Sequence, residues 1–348
     1  MRISISSNTL KPGGAEMQRV HLANALSARG HDVQLSLLQE GGSLEALVSA
    51  GVAVRRFGGN IRAVLQRQHE DCLITGVTRS ELAMAICYKG QTAGRGTWFA
   101  ASHHSYPPQI GTSDLRYGPG IRQALRGADA VIALTAAHRQ HLLSTTPASN
   151  IVVIANGVPI DTVLDASLPS SSGRLRVGFL GRITDQKGLA EFLSAWRKAS
   201  IDAELHIWGD GPLAGDLRAS TSSLRTVIWH GWVSGSEQVW PQIDVLVLPS
   251  KWEAQPMVLL EAVTRGIPVV CNEVGGVGDI LEVAGTGQLV SPGVEDDWVD
   301  ALRRLPSVVS ELRSSALAAL DRCRDAFAVD RMVDKYVSLI ESHVSRRR

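Results

Sequence analysis

The chain opens on "RISIS", where isoleucine alternates with polar residues at a period of two, the pattern of a strand with one face on a core. In "AEMQRVHLANALSARG" the apolar positions recur every three or four residues up to Gly30, which predicts an amphipathic helix closed by glycine. "DVQLSLL" returns to a strand pattern, and "DCLIT", "GTWFAAS", "DAVIAL" and "IVVIANGV" follow, with helical patterns between most of them. Alternation of this kind predicts an α/β fold with a parallel, doubly wound sheet.

The pattern lapses at "DASLPSSSGR", residues 165–174, where Pro169 and three consecutive serines read as a linker. It then restarts with "RLRVGFLG", "AELHIWG", "TVIWHG", "DVLVLPS", "PVVCN" and "GQLVS", each followed by a turn. The closing "AFAVDRMVDKYVSLIESHVSRRR" places Val329, Met332, Val333, Tyr336, Leu339 and Ile340 at near-helical spacing, a terminal helix that must dock on something. The expected organisation is a first domain over 1–164, the linker, a second domain over 175–325 and a terminal helix over 326–348. No repeat of about 20 to 50 residues recurs, so the two halves are similar domains in tandem and not a solenoid.

Length agrees with this division, since 348 residues exceed one core and suit two domains of about 150 to 200 residues. A hydrophobic content of 44% with 20% charged residues describes a folded globular chain. The net charge of +1 gives no basis for binding nucleic acid or for bulk attraction to a membrane, and the Arg346, Arg347, Arg348 run reads as a solvated tail. Cys72, Cys87, Cys271 and Cys323 form no CxxC pair and lie near no histidine cluster, so reduced thiols, a cytosolic chain and no structural zinc are expected. The first residues lack the continuous apolar stretch of a signal peptide, and no run reaches the roughly 18 residues of a membrane span. A cytoplasmic location follows, with any membrane contact made from the protein surface.

Two turns carry candidate chemistry. Gly13 and Gly14 in "KPGGAEMQRV" open a helix whose first N–H groups are unobstructed, a ready anion site, although such a pair also serves as a plain tight turn. The spacing is not GxGxxG and no acidic residue stands at the right strand end, which argues against a nicotinamide or flavin site. In "VGFLGRITDQKG" a strand ends at Gly181 and delivers Arg182 and Lys187 to the carboxyl edge of the sheet. Two cations there suit a diphosphate; the alternative is a pair of surface cations near a helix start.

"KWEAQPMVLLEAVTRG" adds two carboxylates. Pro256 fits as the first residue of a helix running to Arg265 and stopped by Gly266, with Glu253 in the preceding loop and Glu261 inside the helix. Glu261 then lies about 7 Å along the axis, and the carboxylates bracket the helix N-terminus. A ligand with phosphate there can offer hydroxyls of one sugar to Glu253 and of a ribose to Glu261. Alternatively Glu261 pairs with Arg265 at i+4 and Glu253 is solvated. A glycoside-hydrolase acid and base is a rival reading, but it leaves the phosphate-binding features unexplained.

Taken together, "PGGAE", "GRITDQKG", "GDGP" and "EAQPMVLLEAVTRGIPVVCNEVGG" resemble the retaining glycosyltransferases of family 4, whose signature is the Glu, seven residues, Glu spacing at 253 and 261. The resemblance spans nearly the whole chain and is loosest between residues 40 and 130. It implies the GT-B architecture: two Rossmann-like domains facing a central cleft, with a C-terminal helix crossing back to the first. It further implies that Glu261 binds donor ribose hydroxyls, that Glu253 contacts the transferred sugar, and that Arg182 and Lys187 hold the diphosphate. The amides of Met257 and Val258, with Gly13 and Gly14, would complete the phosphate cradle. Val233 in "HGWVSG" would meet the nucleobase, and Gly275 and Gly276 would lie near the sugar. The family's histidine near sugar and acceptor is matched by His103 or His104 in "AASHHSYP". "AQP" after Glu253 departs from the family's usual aromatic or glycine, which leaves the donor sugar open.

The implied activity is transfer of a sugar, with retention, from a UDP- or GDP-linked donor to a hydroxyl of a glycan or lipid-linked acceptor in bacterial surface-glycan synthesis. No metal or other cofactor is implied, and peripheral contact with the inner face of the cell membrane is. Arg116, Arg122 and Arg126 in "DLRYGPGIRQALRG" could face that membrane, though a solvated helix face explains them as well. A sugar-nucleotide epimerase of the same fold and a catalytically silent nucleotide-sugar-binding module are the alternatives.

Overall fold

The computed structural model describes residues 1–39, 41–58, 70–76, 98–102, 119–160 and 173–345. The chain divides into two compact units. One is built from Met1–Ser105, Gln109–Pro159 and Phe327–Arg348, the other around Ile160–Ala326.

In the first unit β1 (Arg2–Ser7), β2 (Asp32–Leu37), β3 (Val52–Arg56), β4 (Cys72–Thr75), β5 (Trp98–Ser102), β6 (Ala130–Ala133) and β7 (Ile151–Val153) form one sheet in the order β3-β2-β1-β4-β5-β6-β7. Its described pairs are all parallel. The helices are α1 (Gly14–Ala28), α2 (Pro119–Gly127) and α3 (Ala136–Thr145). Val20, Ala23 and Leu26 of α1 are buried against Ile3, Ile5 and Leu35 of the sheet, as the helical periodicity requires. β3 escapes the sequence reading because it is an edge strand in which only Val52 is fully buried, so no apolar alternation marks it. β7 is shorter than "IVVIANGV" suggested: after Val153 the chain leaves the sheet, and Val158 bridges instead to Ala328.

The second unit holds β8 (Leu175–Leu180), α4 (Leu189–Ala199), β9 (Ala203–Trp208), α5 (Ala214–Ser220), β10 (Val227–Gly231), β11 (Val245–Leu248), α6 (Met257–Val263), β12 (Val269–Asn272), α7 (Val277–Ala284), β13 (Gln288–Val290), α8 (Glu295–Ala318) and α9 (Leu320–Phe327). The sheet runs β10-β9-β8-β11-β12-β13, again parallel. β11 and β12 are buried along their whole length, as strands covered on both faces must be. Phe192 and Trp196 of α4 pack with Trp298, Leu302 and Leu305 of α8 on one face, and Phe192 meets Trp298 edge-on at 4.9 Å.

The last helix, α10 (Val329–Ser345), joins the first unit. Met332, Val333, Tyr336 and Ile340 enter the core with Leu26 and Trp98. Gln18 Nε2 donates to Met332 Sδ at 2.9 Å, and Arg29 reaches Asp334 at 2.7 Å. No helix of the described residues is long and apolar enough to cross a membrane.

Strand order reverses between β1 and β4 in the first sheet and between β8 and β11 in the second. In open α/β sheets ligands bind beyond the carboxyl ends of strands at such a point, so the loops after β8 and β11 define the candidate site of the second unit.

Candidate active site

The loop after β8 contains a 3₁₀ turn, Asp185–Lys187, ended by Gly188 at φ +64°. This position needs glycine twice over: its backbone is left-handed, and a Cβ would stand 2.0 Å from the Pro249 carbonyl oxygen in the loop after β11. The close approach lets the two loops bond directly. Lys251 N donates to Gln186 O at 2.8 Å and Gln186 Nε2 to Trp252 O at 3.0 Å. Lys251 Nζ adds ion pairs to Asp185 at 2.5 Å and Glu191 at 2.7 Å.

Both loops are also supported by the strands beside them. Asp210 of "GDGP" accepts from Ile183 N at 2.9 Å, and a Cβ at Gly211 would lie 2.4 Å from Ile183 O. Asn272 at the end of β12 donates to Pro249 O at 2.9 Å and Ser250 O at 3.1 Å, while its own Oδ1 accepts from Trp298 Nε1 at 2.7 Å. "GDGP" therefore acts on the site as backbone packing behind the cation-bearing loop.

On this frame Lys187 and Glu253 meet. Lys187 Nζ lies 2.5 Å from Glu253 Oε1, and Glu253 is only 6% exposed. The thiol of buried Cys271 is pushed up, mainly by its burial and further by the Glu253 charge. Arg182, in the same loop as Lys187, is exposed and pairs with no described carboxylate.

Glu261 sits on α6. Burial raises its carboxyl above the usual range, opposed by a hydrogen bond with Ser236 and by the Arg265 charge, while Glu237 pushes it further up. Arg265 donates to the Glu261 backbone carbonyl at 3.1 Å and lies over the Trp240 ring at 5.7 Å, so the i+4 contact runs through the carbonyl. The helix is shorter than expected at both ends. Pro256 is extended, with φ −70° and ψ 123°, and caps the helix by accepting from Leu259 and Leu260 at 3.1 and 3.3 Å. Proline's fixed φ suits the cap as well as the first turn, which is why the sequence placed it one residue too far in. At the other end the helix closes at Val263, with Gly266 left-handed at φ +69°. Met257 and Val258 are thus the first two helical residues, where N–H groups precede any intrahelical acceptor. Ala254 and Gln255 are both buried between Glu253 and this helix start.

Gly275 is left-handed at φ +51°, and Gly276 is the N-cap of α7. Val233 is half-buried in the turn after β10, beside Trp232, which is 54% exposed; Ser236, the partner of Glu261, follows in the same turn. In the first unit Gly13 is the N-cap of α1 and Gly14 its first residue, with the Glu16 side chain folded back over Gly13. His103 and His104, directly after β5, lie outside the described residues, as does Arg116. Arg122 and Arg126 are exposed on α2, whose Ala124 and Leu125 are buried.

The second unit therefore brings Lys187 and Glu253 into direct contact and puts Glu261, Met257 and Val258 on the adjoining helix. Gln186, Lys251, Asn272 and Ser236 complete the arrangement and were not foreseen. Gln186 was within view in "DQKG", but nothing in the sequence pattern marks Ser236.

Two family models match the chain: Glycosyltransferase Family 4 over residues 12–162 and Glycosyl transferases group 1 over residues 174–307. The chain belongs to glycosyltransferase family 4. This family 4 chain is 30% identical over 191 residues to lipopolysaccharide 1,6-galactosyltransferase of Salmonella typhimurium, covering 52% of the chain and 53% of that protein. It is 28% identical over 240 residues to alpha-maltose-1-phosphate synthase of Mycolicibacterium smegmatis, covering 60% and 61%. The family 4 chain thus spans about half to three-fifths of the length of these curated relatives. Among solved structures it is similar to sucrose-phosphate synthase from Thermosynechococcus elongatus, with TM-score 0.81, 17% identity and 99% of each chain covered. It is also similar to HepE of Anabaena in complex with UDP-glucose, with TM-score 0.82, 20% identity and 98% and 100% covered. Its fold is the two-domain α/β GT-B fold.

Proposed function

We propose that this family 4 chain is a retaining glycosyltransferase that moves a sugar from a UDP- or GDP-linked donor to a hydroxyl of a glycan or lipid-linked acceptor, in the synthesis of a surface glycan. The reading is carried by the meeting of Lys187 and Glu253 at the sheet's switch point, beside the helix that bears Glu261. The names of the Salmonella galactosyltransferase and of the UDP-glucose complex support the acceptor and donor classes.

Arg182 and Lys187 take the diphosphate, together with the first amides of α6, and oppose the charge that develops on the leaving group. A preorganised cation does this without reorganising at the moment of reaction. Glu261 accepts from ribose hydroxyls and Glu253 from hydroxyls of the transferred sugar. The acceptor hydroxyl attacks the anomeric carbon on the face the diphosphate leaves, and a donor phosphate oxygen takes its proton. His103 or His104 serves near the sugar, and Val233, Gly275 and Gly276 line the donor. With protein cations holding the diphosphate, turnover is expected to survive EDTA.

The test is nucleotide release from a panel of UDP- and GDP-sugars, with and without glycan and lipid-linked acceptors. Acceptor-dependent release with product of the donor's anomeric configuration is expected. Donor conversion without acceptor would show an epimerase, binding without release a silent module, and inverted product a different mechanism.

A further inference from the structure

We propose that Glu253 makes the site prefer a nucleotide that still carries its sugar over the bare nucleoside diphosphate, by competing with the diphosphate for Lys187. The proposal rests on the donor-binding role given to these residues above.

Glu253 Oε1 accepts from Lys187 Nζ at 2.5 Å, and among the described residues no other donor reaches this carboxylate. At 6% exposure it has little water to fall back on. Lys251, the nearest other ammonium in these two loops, cannot replace Lys187, because Asp185 and Glu191 hold it at 2.5 and 2.7 Å. A diphosphate that draws on the Lys187 ammonium must share it with a nearly buried carboxylate, weakening that bond, and sets a second anion close to it. A poorly compensated buried charge of this kind is unfavourable.

A sugar attached to the diphosphate changes the outcome, since its hydroxyls are donors placed next to the phosphate and can take over the Glu253 carboxylate. A bare nucleoside diphosphate has none at that position. Glu253 thus has the whole of Lys187 in the free site and a sugar in the donor complex, and is least well compensated when nucleotide is bound alone. Once the sugar has left on the acceptor, Glu253 recovers Lys187 and favours nucleotide release. This makes Glu253 a determinant of product discharge as well as a contact to the sugar.

Calorimetric titration of the full chain with UDP and GDP and their glucose-linked forms tests this. Glu253→Gln, which keeps volume and removes charge, should bind the bare nucleotide about tenfold more tightly, about 1.4 kcal/mol. The sugar-linked to bare affinity ratio should fall by at least as much. In a Lys187→Met background the gain from the same substitution should be smaller, because only the repulsion between the two anions remains. Glu253→Ala should shift affinity in the same direction. In the wild-type chain, at least one of free glucose, galactose, mannose and N-acetylglucosamine at millimolar concentration should tighten the binding of bare nucleotide, an effect that needs no variant to fold. Unchanged or weaker bare-nucleotide binding in Glu253→Gln, the same gain without Lys187, or no effect of any of these sugars on the wild type each overturns the proposal while leaving the donor site standing. If the wild type binds neither nucleotide, the donor-site reading falls and takes the proposal with it.

Discussion

Gly188→Ala probes the joint that holds the two site loops together. A left-handed backbone is unfavourable for a residue with a Cβ by about 1 to 2 kcal/mol, offset in part by the reduced freedom of the unfolded chain, for a net loss of about 1 kcal/mol. Gly293 supplies the control. It is also left-handed, at φ +79°, but nothing lies within 4 Å of its would-be Cβ. At Gly188 the Cβ stands 2.0 Å from Pro249 O, while real Cβ contacts stay above 3.0 Å, so the loops must separate by about 1 Å. That movement breaks the bonds from Lys251 N and Gln186 Nε2, each contributing about 1 kcal/mol. Gly188→Ala should therefore lose about 3 kcal/mol and Gly293→Ala about 1 kcal/mol, read as urea midpoints at constant slope. Nucleotide binding should suffer only in Gly188→Ala, because Lys187 and Glu253 ride on the separated loops. Equal losses in the two variants, or normal nucleotide affinity in Gly188→Ala, would refute the claim that this close approach fixes the site.

Three further outcomes are expected. Lys187→Met should lower kcat roughly 100- to 1,000-fold, the usual range for removing one preorganised charge-stabilising donor, with an unchanged far-UV spectrum; turnover within tenfold of wild type rules out its role. Glu261→Gln should weaken nucleotide-sugar binding roughly tenfold to a hundredfold, as expected for charged hydrogen bonds. It should also raise Tm at neutral pH: because the folded carboxyl is raised, its favourable contribution is present at low pH and lost as pH rises through the folded value, so the gain should shrink toward pH 4. His138 is fully buried and its imidazole is lowered to about 4 by burial, helped by His141. Its contribution is full above about pH 6.5 and lost as pH falls to about 4, which amounts to about 3 kcal/mol. His138→Asn, whose Oδ1 can still accept from Leu134 N, should flatten that dependence in urea titrations, and an unaltered slope counts against the assignment.

Buried parallel strands announce themselves as short apolar runs, so "DVLVLPS" and "PVVCN" fell within a residue or two of β11 and β12. β3 did not, because an edge strand with one buried side chain carries no such signature. The carboxylates and cations were legible as chemistry set at strand ends. Their pairing was not: the expectation gave Glu253 and Lys187 separate tasks, whereas the fold joins them. Sequence shows which side chains reach an edge, but which of them touch depends on loop-to-loop bonds such as Gln186 to Trp252, between residues 66 positions apart. Ser236 escaped for the same reason, since a serine in a polar turn looks alike with or without a half-buried carboxylate behind it.

The first unit takes α10 from the far side of the second in the chain, and this sets the order in which the protein can mature on the ribosome. Val333, Tyr336 and Ile340 fill the core around Leu26 and Trp98, yet they are synthesised some 170 to 180 residues after Pro159. At about 5 to 20 residues per second, the first sheet waits on the order of 10 to 35 s with the α10-facing side of α1 uncovered. The second unit, contiguous in the chain, can close in that interval. The half that begins first is finished last, and its exposed apolar seam is where a nascent chain of this protein would most need a chaperone.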